Sequence, residues 1–219
     1  MNWKTICPKA LILLSTLYAM ARMWHWTIGF TFFTQLSNLF TALVAALKLY
    51  QGLRGGERRA LTVVKFTATV SICVTFLVYL LVLAPMTPGG IIAAYRQDGW
   101  ASLCLHLITP VLALTDFLLN DARRQWRFRH VLAATLPPSG YFLFVLLLGA
   151  LGVRWHSGMS APYPFLNYAA PCGWFGFRPD TVGGTTLGIG VFYVMLILLG
   201  LFLLIGTLLA RLSRRMYGK

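Results

Sequence analysis

The amino-acid sequence predicts an all-α protein, a polytopic membrane bundle of six transmembrane helices with both the N and C termini in the cytoplasm. Three observations carry that expectation: too little charge to coat a water-facing surface, six apolar stretches of membrane length, and a lopsided distribution of basic residues. Of 219 residues, 58% are hydrophobic and only 11% charged, against roughly 25% charged in a soluble domain, whose exterior must face water. Nineteen Lys and Arg against five acidic residues give a net charge of +14. In a soluble chain that balance reads as nucleic-acid binding. Here basic loops held on the cytoplasmic side account for it, so the expected partner is the lipid bilayer and no nucleic acid.

About 20 apolar residues span a bilayer core as a helix. Six such stretches fall at about 8–26, 28–50, 61–84, 101–120, 131–152 and 185–211, each bounded by charge, glycine or proline. They make one domain over 1–219, with two short basic connections and an outer cap loop at 153–184. On one side lie Lys4, Lys9, Lys48, Arg54, Arg58, Arg59, Lys65, Arg123, Arg124, Arg127, Arg129, Arg211, Arg214, Arg215 and Lys219. The other side has only Arg22, Arg96, Arg154 and Arg178. The basic side is cytoplasmic by the positive-inside rule, and the expected location is the cell inner (plasma) membrane.

Residues 1–26 also admit a second reading. Lys4 and Lys9, then ALILLSTLYAM, then Ala19-Met20-Ala21 match a secretory signal with its cleavage site. The anchor reading is preferred, because Arg22, Trp24 and Trp26 look like an interfacial belt and six helices return both ends to the basic side. Cys7, Cys73, Cys104 and Cys172 show no CxxC spacing, so no metal or other cofactor is expected. Cys104 and Cys172 both fall toward the outer face, where two unrelated thiols are preferred to a disulfide.

Function is sought among polar groups inside the spans, since each costs free energy unless it is paired or used. In the second span Thr31, Thr34, Gln35 and Asn38 recur at i, i+3, i+4 and i+7, one helix face, with Ser37 and Thr41 nearby. Such a stripe faces the bundle interior, either as helix–helix glue or as a site. In the fourth span Ser102, His106 and Thr109 share a face. Both spans run inward from the outer side, so Thr34 and His106 lie roughly 10 Å and 8 Å deep, level enough for hydroxyl and imidazole to meet. Pro110 lacks an N–H, which frees the carbonyl of His106 and kinks the helix. Asp116 sits too far along the axis to orient His106, but at the depth of Lys65, which predicts a structural ion pair. In the cap, Tyr163, Phe165 and Asn167 of the YPFLN run are expected to cover the polar face, or else to anchor an interfacial loop.

The runs Phe33-Thr34-Gln35-Leu36-Ser37-Asn38-Leu39, His106 followed by Pro110, and Tyr163-Pro164-Phe165-Leu166-Asn167 resemble bacterial six-helix integral membrane proteins. That group carries FT-x-x-SN, H-x-x-x-P and YPFL in this order, and is distantly similar to the eukaryotic androgen-induced gene protein family. The resemblance implies intramembrane hydrolysis of lipid esters, with a threonine on an early helix and a histidine on a later one. Thr34 stands at the nucleophile position and His106 at that of the histidine. The acidic residue that follows the threonine in the eukaryotic pattern is replaced by Ser37 and Asn38, a departure that bears on substrate and on activity. Threonine needs a base within reach, which His106 would supply. Gln35, Asn38 and Ser37 are the candidates to hold the oxyanion or substrate. The leading expectation is therefore a hydrolase of fatty-acid esters. The alternatives are a non-enzymatic binder or transporter of a lipid-like solute and a structural membrane subunit.

Overall fold

The computed structural model describes residues 3–23, 28–56, 59–97, 99–122, 125–178 and 187–217. Trp24, Trp26, Arg58, Arg123, Arg124, Lys219 and part of the expected cap loop lie outside these residues. The described chain is helical, and its only β pairing is an isolated bridge between Phe177 and Ile189. Its principal helices are α1 (Trp3–Met23), α2 (Phe33–Arg54), α3 (Arg59–Met86), α4 (Gly90–Gln97), α5 (Gly99–Asn120), α6 (Phe128–Ala150) and α7 (Val191–Tyr217).

Five of them, α1, α3, α5, α6 and α7, are long and apolar enough to cross a membrane. Helix α2 is 22 residues long, about 33 Å at helical rise, and it carries Thr34, Gln35, Ser37, Asn38 and Thr41. Those side chains lower its mean hydropathy, and α2 is not among the five.

The chain forms two compact units, Met1–Thr135 with Phe202–Lys219, and Leu136–Leu201. In the first, α2 packs on α1 and α3, and α5 packs on the other flanks of α1 and α3, closing a four-helix ring. Its interior is unusually rich in hydroxyls. Thr41, Thr69, Ser71 and Thr75 each bond the carbonyl four residues back. That pattern lets small polar side chains sit at a close helix contact without an unpaired O–H. Gly55, with φ 72°, ends α2 in the left-handed conformation that a Cβ disfavours.

Helices α3 and α5 share one irregularity. Each opens into a single π turn, Tyr79–Leu83 and Cys104–Ile108, beginning six residues before Pro85 and Pro110 respectively. Ala84 N–H bonds Tyr79 O and Thr109 N–H bonds Cys104 O, both one residue longer than α-helical spacing. This corrects the sequence expectation at Pro110. In π register its missing N–H falls opposite Leu105 O rather than His106 O. In α6, helix is broken at Ala134-Thr135, just before Leu136-Pro137-Pro138.

In the second unit, residues after α6 fold back through tight local contacts. A Cβ at Gly149 would meet Ser160 O at 2.2 Å, so only glycine permits that approach. Asn167 Oδ1 accepts from Ser160 N and Ser160 Oγ at 3.0 and 2.8 Å. Tyr163 stacks on Phe165 at 5.2 Å and meets Tyr141 edge-on. Tyr163, Phe165 and Asn167 thus organise their own loop. Cys104 and Cys172 are both buried, and neither is in a disulfide.

Candidate functional site

The polar stripe of α2 begins later than its spacing implies. Thr31 belongs to a separate turn, Gly29–Thr31, where its hydroxyl donates to Ile28 O at 2.6 Å. Extended Phe32 then separates that turn from α2. From Thr34 onward each polar residue reaches a different neighbour. Gln35 Nε2 donates to Met23 O of α1 at 3.3 Å. Ser37 Oγ lies 2.9 Å from Thr75 Oγ1 of α3. Asn38 Nδ2 donates to Thr34 O at 2.8 Å and to Leu105 O of α5 at 3.2 Å. Leu105 O is the carbonyl that Pro110 leaves vacant, so Asn38 fills the gap made by the π turn.

With both N–H groups of Asn38 spent, this arrangement leaves none of them for an oxyanion; Gln35 retains one. The carbonyl sides of the two carboxamides are the reverse case. Gln35 Oε1 and Asn38 Oδ1 are buried and have no hydrogen-bond partner among the described residues. Two buried acceptors without donors, one turn apart, cost about 1–3 kcal/mol each unless something donates to them.

His106 lies in the π turn of α5, 7% exposed. Its Nδ1 sits 3.0 Å from Ser102 O and 3.3 Å from Ser102 Oγ. A carbonyl only accepts, so Nδ1 carries the proton and Nε2 is the basic nitrogen of the neutral ring. The imidazole stacks on Tyr79, which lies in the π turn of α3, with ring centroids 3.5 Å apart and 11° between planes. Tyr79 Oη donates to Ala94 O at 3.2 Å and lies 3.1 Å from Ser102 Oγ. Tyr95 packs edge-on against Tyr79, its buried hydroxyl without a partner among the described residues. Among the described residues His106 makes no hydrogen bond to Thr34; its ring contacts are Ser102 and Tyr79.

A second polar assembly occupies the end of the ring where α3 begins and α5 ends. Lys9 Nζ lies 2.6 Å from Asp116 Oδ1, Lys65 Nζ 2.5 Å from Asp116 Oδ2, and Lys48 Nζ 3.0 Å from Asp121 Oδ1. Lys65 also pairs with Asp121. The order Lys9, Asp116, Lys65, Asp121, Lys48 is a ladder of alternating charge, every member buried. The Lys65 contact to Asp116 is a charge contact off the hydrogen-bond direction, whereas Lys9 and Asn120 donate properly to Asp116 Oδ1. Asp121 lies just beyond α5. Burial opposes its charge, but Lys65 and Lys48 outweigh that and hold its carboxyl below the usual value. A cavity of about 270 Å³ reaches this assembly, lined in part by Thr5, Lys9, Lys48, Gln51, Asn120 and Asp121.

The sequence brought Lys65 to Asp116 by depth alone, but treated Lys9 and Lys48 as topology markers at the water boundary. Both are buried instead. Asp121, Tyr79 and Tyr95 carried no signal in isolation. The matched Pro85 and Pro110, each six residues after the start of a π turn, are the pattern that marks Tyr79 and the segment of His106. Among the described residues no group of His, Cys, Asp and Glu is arranged to hold a metal ion.

The fold and the two polar assemblies describe a helical chain in which, among the described residues, five helices are long and apolar enough to cross a membrane. No family model matches the sequence, and neither a curated protein nor a solved structure matches it.

Proposed function

We propose that this is a six-span protein of the inner membrane, with both termini cytoplasmic, that binds a hydroxyl-bearing lipid-like ligand at the face formed by Gln35, Asn38 and His106. The carrying observation is the pair of buried oxygens, Gln35 Oε1 and Asn38 Oδ1, that no described residue serves with a donor. A ligand hydroxyl supplies what they lack, and the apolar helices around them suit a hydrocarbon tail. Helix α2 is the sixth span in this reading, its polar face turned to the ring and its length sufficient to cross. The split of basic residues supports the orientation.

The test compares hydroxystearate with stearate by native mass spectrometry of the full chain in detergent. Preferential retention of hydroxystearate, lost in Gln35→Met, is the expected result. Equal retention of the two acids by the unaltered protein would remove the basis for the reading.

A second reading, hydrolysis of lipid esters, is favoured by one observation: Ser102 O fixes the His106 tautomer that leaves Nε2 basic. In that reading a bound substrate draws the Thr34 hydroxyl to His106, and Thr34 Oγ1 attacks the ester carbonyl as His106 Nε2 takes its proton. The ester C–O bond breaks and the alcohol leaves with that proton. Water then releases the acid from Thr34, in keeping with the resemblance to intramembrane hydrolases. It requires turnover of a hydroxy-fatty-acid ester that vanishes in both Thr34→Ala and His106→Ala. Turnover unaffected by either change would exclude this pair as the catalytic machinery.

A further inference from the structure

A groove of about 730 Å³ lies where α3, α5 and the C-terminal half of α7 meet, apart from both polar assemblies. Its walls are apolar, from Phe76 and Leu77 on α3, Leu114 on α5, and Leu208 and Leu212 on α7. Its end toward the C terminus is lined by Arg211, Arg214 and Arg215. These recur at i, i+3 and i+4, so the three guanidinium groups rise from one helix face. All three are exposed. Arg214 donates to Trp126 O at 2.8 Å, which anchors it at the rim. Among the described residues none of the three forms an ion pair.

The dimensions match one half of a bilayer. From Ile205 to Arg215, both in the groove lining, is ten residues, roughly 15 Å at helical rise. That equals about half the hydrocarbon thickness of a membrane. The groove therefore offers an acyl chain a path one leaflet long and ends at three cations. A zwitterionic headgroup would bring its own cation to that end, whereas an anionic headgroup supplies the missing charge.

We propose that this groove is a binding site for one anionic phospholipid of the leaflet on the C-terminal side. An acyl chain lies between Phe76, Leu114 and Leu208, and the phosphate is held by Arg211 and Arg215.

The full chain in detergent is offered phosphatidylglycerol and phosphatidylcholine of identical acyl composition, and the retained lipid is read by native mass spectrometry. Phosphatidylglycerol should be retained preferentially, and Arg211→Gln with Arg215→Gln should reduce that retention roughly tenfold or more, with phosphatidylcholine unchanged. A second variant, Leu208→Trp, fills the groove with the arginines intact and should also displace phosphatidylglycerol. Equal retention of the two lipids by the unaltered protein overturns the proposal, as does a Leu208→Trp protein that holds phosphatidylglycerol as before. Hydroxystearate preference is read separately at Gln35, so failure here leaves that reading standing.

Discussion

At the scale of single residues, the heaviest demand falls on Asp116, which is fully buried between two lysines. Removing its charge leaves Lys9 and part of Lys65 desolvated without a counterion, so Asp116→Asn should cost about 3–5 kcal/mol in denaturant unfolding. An isolated Lys65–Asp116 pair would be rescued by exchanging the two residues. The ladder forbids this, because exchange sets a lysine beside Lys9 and an aspartate beside Asp121. The exchanged double variant should therefore unfold no later than Asp116→Asn, and full recovery would contradict the ladder. Asp121 adds a pH dependence of defined sign. Its lowered carboxyl pKa means that its contribution is complete at neutral pH and is lost as pH falls through the folded value. Asp121→Asn should flatten the acid side of a stability-versus-pH curve relative to the unaltered protein. Matching depth along two helices was enough to bring Lys65 to Asp116 from sequence. The same reasoning could not find Lys9 or Lys48, because a long lysine near a helix end either snorkels to water or turns inward, and only packing decides.

At the scale of elements, the paired π turns are what distinguish this bundle. Each is set six residues ahead of a proline, and the two bring Tyr79 and His106 face to face. Proline spacing was legible in the sequence, but whether the helix kinks in α register or opens into a π turn was not. The choice moves the vacant carbonyl by one residue, from His106 to Leu105, and so selects Asn38 as its donor. Asn38→Leu should cost about 1–3 kcal/mol by leaving Leu105 O unserved. Pro110→Ala restores a backbone N–H, so the same Asn38 change should cost clearly less in that background. A double-mutant cycle reads the coupling, and additive costs would deny the link. Helix α1 is likewise integral to the ring, with Lys9 in the ladder and Ala19 fully buried. The intact mass of protein extracted from membranes should include Trp3–Met23, and a species starting after Ala21 would instead support the signal-peptide reading.

For the whole molecule, composition and apolar length made legible an all-helical chain with helices long and apolar enough to cross a membrane, because so few charges leave little to coat a water-facing surface. The composition of α2 was the ambiguous part. Its polar face lowers its hydropathy for the same reason that it serves the interior, so span and site compete for one signal. The interior hydroxyls of α3 were invisible for a different reason: threonine and serine bonded to their own helix cost little and leave the apolar pattern intact. The two carboxamide oxygens on α2 lack a donor among the described residues, and the proposed ligand hydroxyl would supply one. Difference infrared spectroscopy of the amide carbonyl bands reads this directly. Addition of hydroxystearate should lower the stretching frequency of side-chain carboxamides, stearate should not, and Gln35→Met should remove part of the shift. Identical spectra with the two acids would mean that no ligand hydroxyl donates to these oxygens.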